Sequence, residues 1–365
     1  MSDNMKVLQI IPIFKLAGAE IMCENLCYEL REQGCDVTAV SLYTQHTPIT
    51  DRLEAANIRV VYLGKKKGFD FSLFIRLWKL FQKEKPDVVH THIYAARYAL
   101  PVAVACGIPA RIHTVHSLAQ WEQVKAGKVV NGIMFRHFGA IPVALNKEVK
   151  ETIQEVYSLP GQKIPVIFNG VNLSKCQIKH NYATKEAFTI IHIGRFMDVK
   201  NHSLLLHSFS RFVDHYPKAR LQLIGEGELQ HNMEQLAVEI GIAQKVYFAG
   251  LQSDIFPWLH QADVFILTSK YEGMPMTLIE AMGTGLPVIA TKVGGIPDII
   301  TDGEEGILTE SDSEQIAAAM ERMMDVEFRQ KCGKKARKKA IEQFAADTMA
   351  EKYIQLYQEL LNIRG

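Results

Sequence analysis

The sequence predicts an α/β protein that contains two doubly wound parallel sheets. Short, uninterrupted apolar runs of the kind typical of buried parallel strands alternate along the chain with longer segments of helical periodicity. Such alternation places helices on both faces of a parallel sheet. The chain has 365 residues, which is more than a single hydrophobic core usually serves, so we expect two domains.

The composition is that of an ordinary globular protein, with 48% apolar and 22% charged residues. A formal net charge of +1 argues neither for nor against nucleic acid. The six cysteines form no C-x-x-C pair, so we expect free thiols in a reducing compartment. The apolar start lacks a basic leader, and no apolar run reaches ~18 residues, so we expect a cytoplasmic protein without a signal peptide or membrane span.

The first half alternates regularly between strands and helices. The apolar runs predict strands at 6–12, 36–43, 58–63, 87–90, 110–115 and 141–145. Helical periodicity predicts helices at 19–34, 71–83, 95–106, 129–138 and 148–157. The first strand is not followed by G-x-G-x-x-G, so we do not expect a dinucleotide in this half.

The second half repeats this architecture without a close sequence repeat. A polar segment at 173–186 is the predicted linker between domains at 1–172 and 187–345. Strands are predicted at 188–193, 220–224, 246–249, 264–267 and 288–290, with helices between them and further helices at 313–324, 327–342 and 346–361.

Two carboxylates stand in the strand–loop–helix–strand segment 264–291. Glu272 lies in the loop and Glu280 in the helix. In a doubly wound sheet the loops after the strands line the ligand crevice, so both are expected beside one ligand. The helix N-terminus offers unpaired N–H groups to an anion. A surface glutamate plus a capping glutamate is the alternative.

Two cations follow the first strand of the second half. Arg195 comes directly after Gly194, and Lys200 follows five residues later. Both would suit a diphosphate at the carboxyl edge of the sheet. Ordinary surface cations are the alternative.

The block EGMPMTLIEAMGTGLPVIATKVGG resembles the Glu-x7-Glu region of family 4 glycosyltransferases, which are retaining enzymes of the GT-B fold with a group 1 glycosyltransferase domain. The resemblance implies two Rossmann-like domains facing across a cleft. Residues 1–172 would bind the acceptor and 187–345 the nucleotide sugar, while the helix within 346–363 packs back on the first domain.

The resemblance also implies roles for individual residues. Glu272 would lie at the transferred sugar, Glu280 would hold the ribose, and Arg195 and Lys200 would neutralise the leaving diphosphate. Leu251 would frame the base. The implied donor-binding set is Gly18, Gly194, Arg195, Lys200, Leu251, Glu272, Gly273, Met274, Met276, Thr277 and Glu280.

The first half contributes a glycine and a histidine to this interpretation. Gly18 resembles the end of the family's Gly-Gly-Ala-Glu loop, with Ala17 in place of the first glycine; a plain turn is the alternative. Segment 111–117 resembles the family's Thr-x-His, which puts His116 on the donor sugar as a neutral imidazole. His90, His92 and His113 stand at nearby strand ends, where hydrogen-bonded histidines are favoured over a metal site.

The stretch 65–85 is basic, basic and aromatic residues are interleaved at 121–138, and a further basic run lies at 331–340. Solvated helix faces are the favoured interpretation of these stretches. Shallow attachment of the first half to an anionic bilayer is the functional alternative. No nucleic acid partner is expected.

We therefore expect a retaining transfer of a hexose or N-acetylhexosamine from a nucleotide sugar to a saccharide or lipid-linked acceptor in polysaccharide or glycoconjugate synthesis. The expected nucleotide is UDP, because it is the most frequent one in the family. The absence of D-x-D predicts a metal-independent enzyme without cofactor. A nucleotide-sugar epimerase, a phosphorylase and a non-catalytic sugar-nucleotide-binding protein are the alternatives. Gly225-Glu226-Gly227 suggests an NAD enzyme, but a third glycine is missing.

Overall fold

A computed structural model of the chain describes residues 5–184 and 186–362. The chain forms two compact units, one ending at Gly170 and resuming at Ala346, the other running over Val171–Ala345. The predicted linker at 173–186 lies in the second unit, and its position 185 is outside the described residues, as is position 363 of the predicted terminal helix.

The first unit holds a parallel sheet in the order β3-β2-β1-β4-β5-β6. Its strands are β1 (Lys6–Ile11), β2 (Asp36–Ser41), β3 (Arg59–Tyr62), β4 (Val88–His92), β5 (Ala110–Val115) and β6 (Ile141–Ala144). The helices that alternate with them are α1 (Gly18–Glu32), α2 (Pro48–Ala55), α3 (Ser72–Glu84), α4 (Ala96–Ala105), α5 (Ala119–Glu122), α6 (Lys125–His137) and α7 (Lys147–Tyr157). Because the strand order reverses between β1 and β4, a crevice opens there at the carboxyl edge.

The second unit holds a parallel sheet in the order β12-β11-β10-β7-β8-β9. Its strands are β7 (Thr189–Ile193), β8 (Arg220–Ile224), β9 (Val246–Gly250), β10 (Val264–Leu267), β11 (Val288–Thr291) and β12 (Gly306–Thr309). Its helices are α8 (His202–His215), α9 (Gln230–Glu239), α10 (Phe256–Gln261), α11 (Met276–Thr284), α12 (Ile296–Ile299), α13 (Ser313–Arg322) and α14 (Val326–Gln343). The predicted class of two doubly wound parallel sheets is confirmed.

Helix α15 (Ala346–Asn362) follows the second unit in sequence but belongs to the first. Its buried face carries Met349, Tyr353 and Tyr357. The Met349 sulfur accepts a hydrogen bond from the backbone N–H of Gly170 at 3.1 Å. At the start of the second unit the N–H of Val171 donates to the carbonyl of Phe344 at 2.8 Å, so the two connections between the units run side by side.

Each sheet is buried in an apolar core. In the second unit, phenylalanines of α8 and aliphatic residues of β7, β8 and β10 form one cluster. In the first unit two clusters cover the sheet. No helix among residues 5–184 and 186–362 is long and apolar enough to cross a bilayer.

Candidate functional site

The loops after β7 and β10 meet at the carboxyl edge of the second sheet. The Lys200 ammonium lies 2.7 Å from Oε1 of Glu272, and both side chains are largely buried. The Ser269 hydroxyl donates to the same oxygen at 2.5 Å. The fold thus joins two of the residues predicted from sequence, although they are 72 positions apart.

The backbone of the two loops is fixed independently of that ion pair. The Lys270 N–H donates to the carbonyl of Val199 at 2.8 Å, and its ammonium lies 2.7 Å from Oδ1 of Asp198. At Gly294, where φ is +53°, a Cβ atom would stand 2.0 Å from the Glu272 carbonyl oxygen. A side chain at that position would therefore displace Glu272.

The loop that carries Gly194 and Arg195 rests on the turn after β8. A Cβ at Gly225, where φ is +136°, would lie 2.2 Å from the Gly194 carbonyl oxygen, and one at Gly227 would lie 2.3 Å from the carbonyl oxygen of Phe196. These glycines allow close packing of the two loops, which accounts for the Gly-x-Gly pattern without a dinucleotide.

Arg195 is exposed at the same edge. Among the described residues, its guanidinium has neither an ion pair nor a side-chain hydrogen bond. An uncompensated guanidinium beside Lys200 gives this edge a positive charge that suits a phosphate group.

Helix α11 starts at the same edge with an open N-terminus. Pro275 is the N-cap residue, and no side-chain hydrogen bond caps the helix. The Thr277 hydroxyl donates to the carbonyl of Ile193 at 3.3 Å, which anchors the helix to β7. The N–H groups of this first turn and the positive end of the helix dipole therefore lie at the sheet edge whose positive charge suits a phosphate group.

Glu280 lies in α11 with only 6% of its surface exposed. Burial raises the pKa of its carboxyl to about 7, against a smaller opposing effect of Lys175. Its Oε2 atom has no hydrogen-bond partner among the described residues. A buried acceptor without a donor is costly, so a ligand that brings hydroxyl groups to this point would be favoured.

The other residues of the predicted donor-binding set lie in loops or at the first residue of a helix. Leu251 follows β9 and is 52% exposed, and Met274 and Met276 are buried beside Glu272 in sequence. Gly273 lies in the same loop. In the first unit, Gly18 is the exposed first residue of α1, whose N-cap side chain, Ala17, makes no capping bond.

His116, the predicted sugar ligand of the first unit, ends a chain of buried hydrogen bonds. Its Nε2 lies 3.0 Å from Nδ1 of His92, and Nε2 of His92 lies 2.8 Å from Oε1 of Gln9. The Gln9 amide donates to the Tyr357 hydroxyl at 3.3 Å. Helix α15 thereby reaches the histidine at the sheet edge.

The chain continues from Tyr357 through a second set of groups. The Tyr357 hydroxyl lies 2.7 Å from Nδ1 of His90, and Nε2 of His90 lies 2.8 Å from the Thr114 hydroxyl. That hydroxyl is 2.7 Å from the hydroxyl of Tyr353. We call these seven residues, from His116 to Tyr353, the histidine–tyrosine chain.

The direction of these hydrogen bonds determines the tautomer of His116. Since the Gln9 carbonyl oxygen can only accept, Nε2 of His92 carries a hydrogen and its Nδ1 accepts from Nε2–H of His116. Nδ1 of His116 is then a lone-pair acceptor. Burial lowers the pKa of His116 to about 3, so the ring is neutral at neutral pH.

Comparison with known proteins covers nearly the whole chain. The model of the Glycosyltransferase Family 4 matches residues 16–175, and that of Glycosyl transferases group 1 matches residues 176–339. N-acetyl-alpha-D-glucosaminyl L-malate synthase of Bacillus anthracis is 27% identical over 318 residues, which is 80% of each protein. UDP-Gal:alpha-D-GlcNAc-diphosphoundecaprenol alpha-1,3-galactosyltransferase of Escherichia coli is 27% identical over 319 residues, again 80% of each.

Solved structures share the fold at lower identity. The crystal structure of Anabaena Alr3699/HepE in complex with UDP superposes with a TM-score of 0.83 at 18% identity, over 97% of this chain and 100% of that one. Sucrose-phosphate synthase from Thermosynechococcus elongatus superposes with a TM-score of 0.79 at 20% identity, over 98% and 100%. Both are similar in architecture throughout their length.

Proposed function

Because this chain belongs to the family 4, group 1 glycosyltransferases, we propose that it transfers a hexose or an N-acetylhexosamine with retention from a nucleotide sugar to a saccharide or lipid-linked acceptor. The observation that carries the proposal is the Lys200–Glu272 pair, 2.7 Å apart beside an uncapped helix N-terminus. A cation, a carboxylate and free N–H groups at one sheet edge suit a sugar joined to a diphosphate.

The nucleotide is proposed to be UDP, with support from the UDP that the similar Anabaena protein binds. Glu280 would accept hydrogen bonds from the ribose hydroxyls, which would satisfy its unpaired oxygen. The first turn of α11, with Met276 and Thr277, would face the sugar and diphosphate together with Gly273 and Met274 of the preceding loop. Gly194 and Leu251 would approach the diphosphate and the base through their backbones.

The chemistry assigned to the chain is electrostatic. As the bond from the sugar to the diphosphate breaks, negative charge grows on the leaving group, and Arg195 and Lys200 would stabilise it. The Lys200 ammonium has three donors, so it can keep Glu272 and still bind a phosphate oxygen. Glu272 would orient the sugar and stabilise positive charge at the transferred carbon. The leaving phosphate would take the acceptor proton, and the transfer would need neither metal nor cofactor.

The first unit would supply the acceptor and one contact to the donor sugar. The lone pair on Nδ1 of His116 is suited to a sugar hydroxyl, and the N-terminus of α1 at Gly18 is suited to the diphosphate. We also propose that the enzyme works in the cytoplasm, at the inner face of the membrane, with its basic and aromatic surface on anionic lipid.

A thermal-shift screen over UDP-, GDP- and ADP-sugars tests the donor assignment, since a ligand of the folded state raises the melting temperature. We expect a shift with a UDP-sugar and none with Glu280→Gln, while Glu239→Gln in α9 should behave like the unaltered protein. Shifts that Glu280→Gln leaves intact would contradict the ribose role.

Incubation with the donor in the absence of acceptor tests the reaction class. A transferase should leave the configuration of the sugar unchanged. It should release UDP only slowly. Accumulation of a 2-epimerised sugar nucleotide would show that the scaffold serves an epimerase.

A further inference from the structure

The first unit contains a pocket lined by none of the residues that the proposed transfer uses. It has a volume of about 680 Å³ and is lined by residues that follow β2, β3 and β4 and by the start of α6. Tyr43, Lys65, Tyr94 and Arg97 form its polar side. The pocket therefore lies at the carboxyl edge of the first sheet, where doubly wound sheets bind ligands.

The pocket holds two cations without a neutralising carboxylate. The Lys65 ammonium is 3.3 Å from the Tyr43 hydroxyl and donates to the carbonyl oxygens of Lys66 and Gly68. Although Lys65 is only 7% exposed, it has no ion pair among the described residues. A buried ammonium whose charge no anion balances is unfavourable. Its three N–H groups already have acceptors, so an anionic ligand would replace the longest contact, that with the Tyr43 hydroxyl.

Arg97 supplies the second charge. Its guanidinium lies 4.8 Å from the ring of Tyr94 and 5.0 Å from that of Tyr98, and its buried Nε has no hydrogen-bond partner in the described part of the chain. The hydrogen bond from Tyr94, with the charges of Lys65 and Arg97, lowers the pKa of the Tyr43 hydroxyl. The pocket is thus a site of positive potential with hydroxyl donors at hand.

An apolar groove continues from this pocket along α3. The groove has a volume of about 360 Å³ and shares Phe74 and Pro101 with the pocket. Ile75 and Trp78 line it and are 59% and 49% exposed. Exposed apolar side chains in a continuous patch indicate a surface that something apolar covers.

The residue before Tyr94, which lines the pocket, has a strained backbone conformation. Ile93, directly after β4, has φ of +52°, which is unusual for a β-branched residue. Its carbonyl accepts a hydrogen bond from the Gln123 amide at 2.9 Å. A Cβ at Gly127, which lines the pocket, would lie 2.5 Å from Oε1 of Gln123. Such strain persists where the surroundings hold a site in place.

We propose that this pocket binds the phosphate of a long-chain lipid, whose hydrocarbon lies along the groove on α3. The two cations match a phosphate, and the groove that shares two residues with the pocket matches a chain leaving it. A free anion would leave that groove uncovered. The inference rests on the proposed function only in that this lipid would carry the acceptor.

Nanodiscs of neutral phosphatidylcholine provide the test, with the full chain in solution. One set contains undecaprenyl phosphate, a second the uncharged polyprenol, and a third phosphatidylglycerol at matching charge. We expect binding to the first set to be at least about tenfold tighter than to either of the others, as charge-assisted hydrogen bonds imply. Inorganic phosphate at equal concentration should not displace the protein.

Variants assign the binding to the pocket. Lys65→Met and Arg97→Gln should each weaken binding to undecaprenyl phosphate about tenfold or more, and Trp78→Ser should weaken it through the groove. Lys163→Met removes an exposed charge outside the pocket and should have no effect. If Lys65→Met does not fold, Arg97→Gln decides, because Arg97 is only half-buried.

Equal binding to phosphatidylglycerol would overturn the proposal, because the protein would then be attracted to any anionic lipid surface. Displacement by inorganic phosphate would overturn it in favour of a free anion, and unchanged binding by folded Arg97→Gln would remove the pocket from it. The UDP thermal shift, measured on the same variants, should persist. Lipid binding without any sugar-nucleotide shift would reject the proposed transfer and leave the pocket assignment standing.

Discussion

The carboxyl edges of the two sheets use polar groups in opposite ways. In the first unit, His116, His92 and His90 form a hydrogen-bonded chain that ends on two tyrosines of α15. In the second, Oε2 of Glu280 has no hydrogen-bond partner among the described residues, and the exposed guanidinium of Arg195 forms no ion pair with them. The buried histidines of the first unit are therefore satisfied by protein partners, whereas Glu280 in the second keeps an oxygen that only a donor from outside the protein could satisfy.

The buried histidines of the first edge and Glu280 of the second respond to pH with opposite sign. Burial lowers the pKa values of His90 and His92 well below 6.5 and that of His116 to about 3. Between those values the unfolded chain binds more protons, so the stability they support is lost as the pH falls below about 6.5. Burial raises the pKa of Glu280 to about 7, so the folded state binds more protons and stability is lost as the pH rises through that value.

Removing a cation from the second edge should have the largest effect. Lys200→Ala and Arg195→Ala should each raise the barrier of transfer by about 2–4 kcal/mol, because charge on the leaving diphosphate loses its partner. Initial rates of UDP release from the donor found by thermal shift measure this. Lys218→Ala, at an exposed position before β8, is the matched control. A full rate in either variant removes that residue from the mechanism.

Replacing Glu280 by glutamine should show how much its buried charge destabilises the free protein. Near pH 8, Glu280→Gln should raise the free energy of unfolding of the free protein by up to about 3 kcal/mol, since a buried charge is removed. Near pH 4 the two proteins should differ little, because the native carboxyl is then protonated. Urea unfolding at both pH values checks the sign. A variant that is less stable near pH 8 would show that the carboxylate already has a partner.

Opening the histidine–tyrosine chain should destabilise the first edge. Tyr357→Phe leaves Nδ1 of His90 and the Gln9 amide without their partner, which should lower the free energy of unfolding by about 1–3 kcal/mol. Tyr216→Phe is the control, because Tyr216 is not part of the histidine–tyrosine chain. Nitrogen-15 shifts of the His116 ring report the tautomer, which should become mixed in Tyr357→Phe. An unchanged Nε2–H tautomer would mean that the chain does not set it.

Chelation should have the smallest effect of all. If the cations of the second edge neutralise the diphosphate themselves, EDTA should leave the rate of UDP release unchanged. Added Mg²⁺ after EDTA is the control. A large loss that Mg²⁺ restores would mean that Arg195 and Lys200 are insufficient.

Most of the two sheets could be predicted from apolar runs, because a buried parallel strand needs apolar residues on both faces. Strand β12 is absent from the predicted strands, and it begins at a glycine, Gly306. In the structure a Cβ there would lie 1.9 Å from the carbonyl oxygen of Val288, so close strand packing requires this glycine. The short helix α2, which buries Ile49 and Leu53, is also absent from the predicted helices.

The site was predictable where one short segment carries it and hidden where distant segments meet. Glu280 and α11 stand in one segment, so a resemblance could point to them; their roles remain predictions. The partners of His90 were not foreseeable, because Tyr357 is 267 positions away in the sequence. Lys65 looked like one of three surface lysines, and only the fold shows that it is buried against Tyr43.

The discontinuous first unit has a consequence for synthesis. When the ribosome has made residue 170, every strand of that sheet exists, but Tyr353 and Tyr357 do not. His90 and Gln9 must then stay hydrated while the entire second unit emerges and acquires its own core. A chain that ends within the second unit would lack the buried face of α15, and the surface that this helix covers would stay open to chaperones and proteases.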